Sequence, residues 1–135
     1  MTIENVYTET TAGVTIRVKP VFLEQQSEPQ TKHFVWAYYV RIENNGVEPF
    51  QLISRYWRII DLSGKVMEVR GEGVVGEQPT LNPGDVYEYS SGTPLETPSG
   101  FMSGTYTMKN NAGDHFDAVI PAFSLDSPHH IARVH

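Results

Sequence analysis

Gly71, Gly73 and Gly76 stand in the spacing G-x-G-x-x-G directly after "VMEVR", a run that reads as a β-strand. Many enzymes hold a dinucleotide with that spacing: the glycines allow a tight turn, and the first N–H groups of the following helix meet the pyrophosphate. Here no helix can follow, because Glu77, Gln78 and Pro79 come next and then "TLNPG", whose second proline leaves no room for one. A Gly-Lys-Ser or Gly-Lys-Thr ending is also lacking, which excludes the phosphate loop of nucleotide hydrolases. What stays open is a loop whose exposed N–H groups hold a small anion beside Arg70, with Arg70, Gly71, Gly73 and Gly76 as candidate residues. Glu72 and Glu77 in the same segment repel phosphate, whereas Arg55, Arg58 and Arg70 would reverse the local sign if strand pairing gathered them.

Other chemistry finds less support. Ser90, Ser91, Ser99 and Ser103 lack a nucleophile-elbow context and read as turn and strand-end hydroxyls. Glu68, Glu72, Glu77 and Glu96 read as charged surface or loop anchors rather than an acid pair. His129 and His130 are adjacent, so in an extended segment they point to opposite faces, and with His135 they resemble a metal ligand set in number only. His33 and His115 lie near strand starts, in structural roles. No catalytic residue, metal ligand or cofactor is assigned.

The elements that carry these residues are short, rich in β-branched and aromatic residues, and separated by glycine and proline. In "VTIRVKPVF", Val14, Ile16 and Val18 alternate with polar residues, and Pro20 marks an edge or irregularity. "HFVWAYYVRIEN" is apolar on both faces, with Phe34, Trp36, Tyr38, Val40 and Ile42 in one phase, as a central strand requires. Asn45-Gly46 suits a tight turn with positive φ. In the strand that follows, Phe50 and Leu52 share one phase and Trp57 and Ile59 the other, which predicts a bulge near Ser54-Arg55. Asp61 to Gly64 turns the chain into "KVMEVR", and "VYEYSS", "FMSGTYTMKN" and "HFDAVIPAFSL" complete seven or eight strands, the last two joined by a turn at Asn110 to Gly113. The fold class is all-β, two packed antiparallel sheets. Residues 1–126 form one domain and 127–135 a tail whose composition does not decide whether it covers an edge. Trp36, Tyr38, Trp57, Tyr87, Tyr89 and Tyr106 should mostly fill the sandwich, leaving one or two for recognition.

Ten Lys and Arg against sixteen Asp and Glu give a net charge of -6, which argues against general nucleic-acid binding. The chain has no Cys, and therefore no disulfide framework or thiolate chemistry. Its apolar runs fall short of the roughly 18 residues that a membrane span needs, so we expect no membrane insertion and a cytoplasmic location.

"LNPGDVY" at residues 81–87 resembles the turn into a late strand of a fibronectin type III domain, where a tyrosine bonds nearby backbone and pins a corner. The chain further resembles the ApaG family through "SRYW" at 54–57, "EVRGEGVVGEQP" at 68–79, "LNPGDVYEYSSGTPLETPSGFMSGTY" at 81–106 and "IPAFSL" at 120–125. The resemblance implies an immunoglobulin-like or fibronectin type III-like β-sandwich. It carries no established catalytic residues, and it brings a genetic association with cobalt tolerance and magnesium efflux. Related domains are attached to F-box proteins and to a DNA-polymerase-interacting protein, which implies protein contacts.

These readings favour a noncatalytic protein-interaction module with an unidentified protein partner. The alternatives are a module binding a small anion, nucleotide or divalent ion, and a metal-assisted phosphate-ester hydrolase near Arg70 and Glu72. The interaction reading predicts that the segments Gly71–Gly76 and Ser90–Gly100 form one recognition surface at an end of the sandwich, built on Arg70, Pro94, Leu95 and Pro98. A homodimer is also expected, through symmetric pairing of the amino-terminal or late strands.

Overall fold

The computed structural model describes residues 6–129. Nine strands form two antiparallel sheets: β1 (Tyr7–Thr11), β2 (Val14–Phe22), β3 (Phe34–Asn44), β4 (Phe50–Asp61), β5 (Val66–Glu72), β6 (Thr80–Leu81), β7 (Val86–Leu95), β8 (Ser99–Asn110) and β9 (His115–Asp126). One sheet runs β1-β2-β3-β7 and the other β5-β4-β8-β9, with the two-residue β6 also paired to β4. This is an immunoglobulin-like, fibronectin type III-like sandwich.

Alternation decides which faces meet. Val14, Ile16 and Val18 of β2 and Phe34, Trp36, Tyr38, Val40 and Ile42 of β3 are buried, packing opposite Trp57 and Ile59 of β4 and Met102, Tyr106 and Met108 of β8. β3 lies between β2 and β7, the central position its two apolar faces predicted. The phase change in β4 is a register shift between Leu52 and Ser54, slightly earlier than expected from the sequence. It lets Phe50 and Leu52 share the inner face with Trp57 and Ile59.

Turn chemistry sets the connections. Asp61 Oδ1 accepts the N–H groups of Ser63 and Lys65, and Gly64 has φ +87°, which returns the chain into β5. Asn110 Oδ1 plays the same part for Ala112 and Asp114, with Gly113 at φ +89°. The pair Asn45-Gly46 differs from expectation: it makes no hairpin and has no positive φ, but begins the crossing from one sheet to the other. The two-residue hairpin turn is instead Ala12-Gly13, at φ 48° and 85°, between β1 and β2. A Cβ on Gly13 would lie 2.9 Å from Gly46 Cα, so the second glycine serves close approach.

The two sides of the sandwich are finished differently. β1 packs beside β9, where Val119 N–H donates to Thr11 Oγ1 at 3.1 Å. The first and last strands thus pack against each other along their outer edges. β5 and β7, the outer strands on the opposite side, do not adjoin in this way. Of the tail, Ser127 is buried with its N–H on Pro98 O, and His129 Nε2 lies 3.0 Å from both carboxylate oxygens of Glu24. His130 and His135 lie outside the described residues.

Candidate functional site

The opening between β5 and β7 is held at both ends by polar ties. At one end Tyr87 O–H donates to Glu77 Oε2 at 2.6 Å. At the other, Lys65 Nζ meets Glu96 Oε1 at 3.3 Å and Leu62 N–H donates to Thr97 Oγ1 at 3.1 Å. Beside the second tie lies a cavity of about 200 Å³ lined by His33, Ile59, Lys65, Met67, Pro94 and Leu95, among others. Strand alternation places Met67 and Val69 on the inner side of β5, opposite Ile59 and Trp57 of β4. Because among the described residues no strand of the other sheet covers them, they stay 37% and 40% exposed. With Val66 at 44%, this short strand shows three large apolar side chains to solvent.

The sequence-predicted residues divide between two faces. Pro94 and Leu95 stand together in the wall of the cavity. Leu95 is also core, at 4% exposure, and Pro98 fixes the turn that Ser127 caps. Arg70 does not join them: paired opposite Tyr56, it lies on the outer face of β5, with its guanidinium carbon 4.4 Å from the Tyr56 ring centroid and Nη2 3.3 Å from Glu68 Oε2. The two segments expected at one end are separated along β4. Gly73 N–H bonds Ile53 at one end of that strand, while Thr97 bonds Leu62 just past the other. Ser90 to Leu95 is strand rather than loop, since β7 continues to Leu95 to pair with Phe34.

The glycine segment is a tight hairpin tip. Val74 and Glu77 exchange both backbone bonds, with Val75 at φ 46° and Gly76 at φ 80° between them. Gly73 N–H is on Ile53 O, so the N–H groups of Gly73, Val74 and Glu77 are all spent inside the protein. Arg55 does not gather with Arg70 around an anion, for its Nη1 donates to the carbonyls of Glu72 and Gly73. Glu77 is taken by Tyr87. The corner tyrosine therefore bonds a carboxylate, where the sequence pattern predicted backbone. Burial and then Glu77 push the Tyr87 hydroxyl up to about 12.

Trp36, Tyr38, Trp57 and Tyr106 are buried, with Tyr87 and Tyr89 packed at the core margin. The exposed aromatics are Tyr39 and Phe101, at 49% and 59%, which the strand pattern did not single out. The Tyr89 and Tyr106 hydroxyls bond each other, and burial raises both well above an ordinary phenol. Ser99 Oγ donates to Asp126 Oδ1, a strand-end bond with no histidine in it. Among the described residues no three histidine or carboxylate side chains converge as metal ligands, and no helix is long and apolar enough to cross a membrane. Missed by sequence reasoning were Met67 and Val69, whose alternation in "VMEVR" marked an inner face without revealing that no described strand of the other sheet covers it.

Fold and groove together define a two-sheet sandwich domain with one side closed and one open. The chain belongs to the ApaG family: the ApaG domain matches residues 24–110. It is 57% identical over 94% of its length to Protein ApaG of Rhodospirillum centenum, covering 98% of that protein. Against Protein ApaG of Paramagnetospirillum magneticum it is 58% identical over 95% of this chain and 98% of the relative. The crystal structure of an ApaA protein from Bordetella pertussis superposes with a TM-score of 0.83 at 47% identity, covering 86% of this chain and 94% of that one.

Proposed function

We propose that this chain is a noncatalytic protein-recognition module whose binding surface is the open β5–β7 side. The observation that carries the reading is the exposure of Met67 and Val69 on the inner side of one short edge strand beside a preformed cavity, while the opposite side of the sandwich is closed. Met67, Val69, Pro94 and Leu95 supply apolar contact, Lys65 and Glu96 a polar rim, and Pro98 holds the turn, so little order is lost on docking. Arg70 serves from the outer face at the edge of β5. The cobalt and magnesium associations implied by the family are, in this reading, consequences of the partner's activity.

The test is capture of partners from a native extract by the chain and by Met67→Ser and Pro94→Ser variants, with thermal unfolding of each. We expect both variants to stay folded and to lose the partner. Retention of every captured protein by both folded variants would contradict the reading.

A further inference from the structure

Among the described residues the outer edge of β5 is unpaired, in a pattern that matches itself. At the two ends of one unbroken register, Gly73 N–H donates to Ile53 O at 2.8 Å and Asp61 N–H to Lys65 O at 3.1 Å. The odd-numbered residues of β5 therefore bond β4, and Val66, Glu68, Arg70 and Glu72 turn their N–H and C=O groups away from the sheet. The Glu72 carbonyl takes one bond from Arg55 Nη1 and has a second lone pair left.

The other edges are guarded. β1 and β9 cover each other. In β7, the bond from Asn44 N–H to Asp85 O fixes the odd-numbered residues as those facing β3, so Pro94 sits among the outward-facing positions and removes a donor there. β5 contains no proline, and its outward-facing positions carry Glu68, Arg70 and Glu72. Such charge discourages random strand addition and selects a strand of matching pattern.

We propose that the matching strand is β5 of a second copy, joined antiparallel about a two-fold axis at Val69. In that register Glu68 faces Arg70 of the second copy and Arg70 faces its Glu68, with Val66 opposite Glu72 at each end. On the inner side Val69 meets Val69 at the close spacing of a non-hydrogen-bonded pair, and Met67 lies across from Gly71, over which the Arg55 guanidinium rests. The neighbouring registers are worse. A slip of two residues sets Glu68 against Glu68 or Arg70 against Arg70, and a slip of one turns outward-facing backbone against groups already bonded to β4. A slip of four towards the glycine tip keeps Arg70 opposite Glu72 but loses about half of the ladder. The Arg70 and Glu68 side chains are 72% and 49% exposed in their present contact, and Glu68 Oε2, which also accepts from Tyr56 O–H at 2.5 Å, exchanges its Arg70 for that of the second copy.

The axis is perpendicular to the joined sheet, so the two β5–β7 grooves open on the same side and self-pairing leaves both accessible. The inference goes beyond the protein-recognition reading and stands or falls separately from it.

Sedimentation equilibrium of the full chain is the test. The chain should show a concentration-dependent monomer–dimer equilibrium, and Glu68→Arg and Arg70→Glu should each weaken it by about tenfold or more, since both cross-strand pairs become repulsive. An equimolar mixture of the two variants should regain the original affinity, because each copy then meets opposite charge at both positions. A monomer at every concentration, single variants that associate as tightly as the parent chain, or a mixture no tighter than its components would overturn the proposal. Hydrogen exchange on the unaltered chain gives a readout independent of whether the variants fold. The N–H groups of Glu68 and Arg70 should become protected as concentration rises, whereas that of Val69 is protected throughout; edge exchange that ignores concentration would overturn the proposal too.

Discussion

Arg55 occupies the space that Gly71 leaves empty: a Cβ at position 71 would lie 2.8 Å from Arg55 Nη2, and from this seat the guanidinium holds the carbonyls of Glu72 and Gly73. The three spaced glycines thus meet three different demands. Gly73 combines φ +62° with a virtual Cβ 2.2 Å from the Glu77 carbonyl oxygen, Gly71 meets only the far end of a flexible side chain, and Gly76 has φ +80° in open space. We expect Gly73→Ala to cost about 3 kcal/mol or more, and Gly71→Ala and Gly76→Ala about 1 kcal/mol each. Urea unfolding of the three variants checks the order; equal losses would contradict this assignment of roles.

Gly104 is under a similar constraint outside the motif. It crosses β4 at the irregularity in the β8–β9 pairing, where a Cβ would lie 2.0 Å from the Tyr56 carbonyl oxygen. The obstacle is backbone at the middle of the sheet, so Gly104→Ala should destabilise by about 3 kcal/mol, measured by the same unfolding experiment.

Acid sensitivity should trace to Glu43. Hydrogen bonds from Arg41 at 2.7 Å and Arg17 at 3.0 Å hold its carboxyl down to about 2, from an ordinary value of 4.5. A depressed folded-state value contributes stability that is complete above pH 4.5 and is lost as pH falls towards 2. With Arg17 and Arg41 nearly half exposed, at 43% and 45%, solvent screening limits the contribution to about 1 kcal/mol. Glu43→Gln should lower stability at neutral pH by that amount and flatten the dependence within this window, as read by chemical denaturation at a series of pH values.

Tyr87 and Glu77 tie the hairpin tip to β7. Tyr87→Phe removes the donor, which should cost about 1 kcal/mol and speed hydrogen exchange in residues 73–77 more than elsewhere. Since the raised hydroxyl contributes stability below pH 10 that is lost as pH climbs towards 12, the variant should also lose part of the alkaline limb of the stability profile.

The strands and their inner faces were legible in the sequence because side-chain alternation reports burial directly, as at Val14, Ile16 and Val18 or Phe34 to Ile42. The bulge in β4 was legible for the same reason, since a phase change leaves no other way for Phe50 and Trp57 to share a core. Between-sheet relations were not. The position of Arg70 on the far face from Pro94, and the separation of residues 73–77 from 96–98, depend on which strand pairs with which, and local pattern is silent on that. The groove was hidden because Met67 and Val69 carry the alternation of a covered strand, and only the layout of both sheets reveals that β7 leaves them exposed.

The central claim is recognition of a protein through the open β5–β7 side, and site-specific photocrosslinking in cells tests it most directly. A photoreactive residue replacing Pro94 in the groove wall is compared with one replacing Val47, which is 93% exposed in the β3–β4 connection, away from the cavity. The account predicts a discrete adduct with a different protein from position 94, lost when Met67→Ser is added, and none from position 47. Adducts from position 47 alone, or from position 94 with no dependence on Met67, would contradict it.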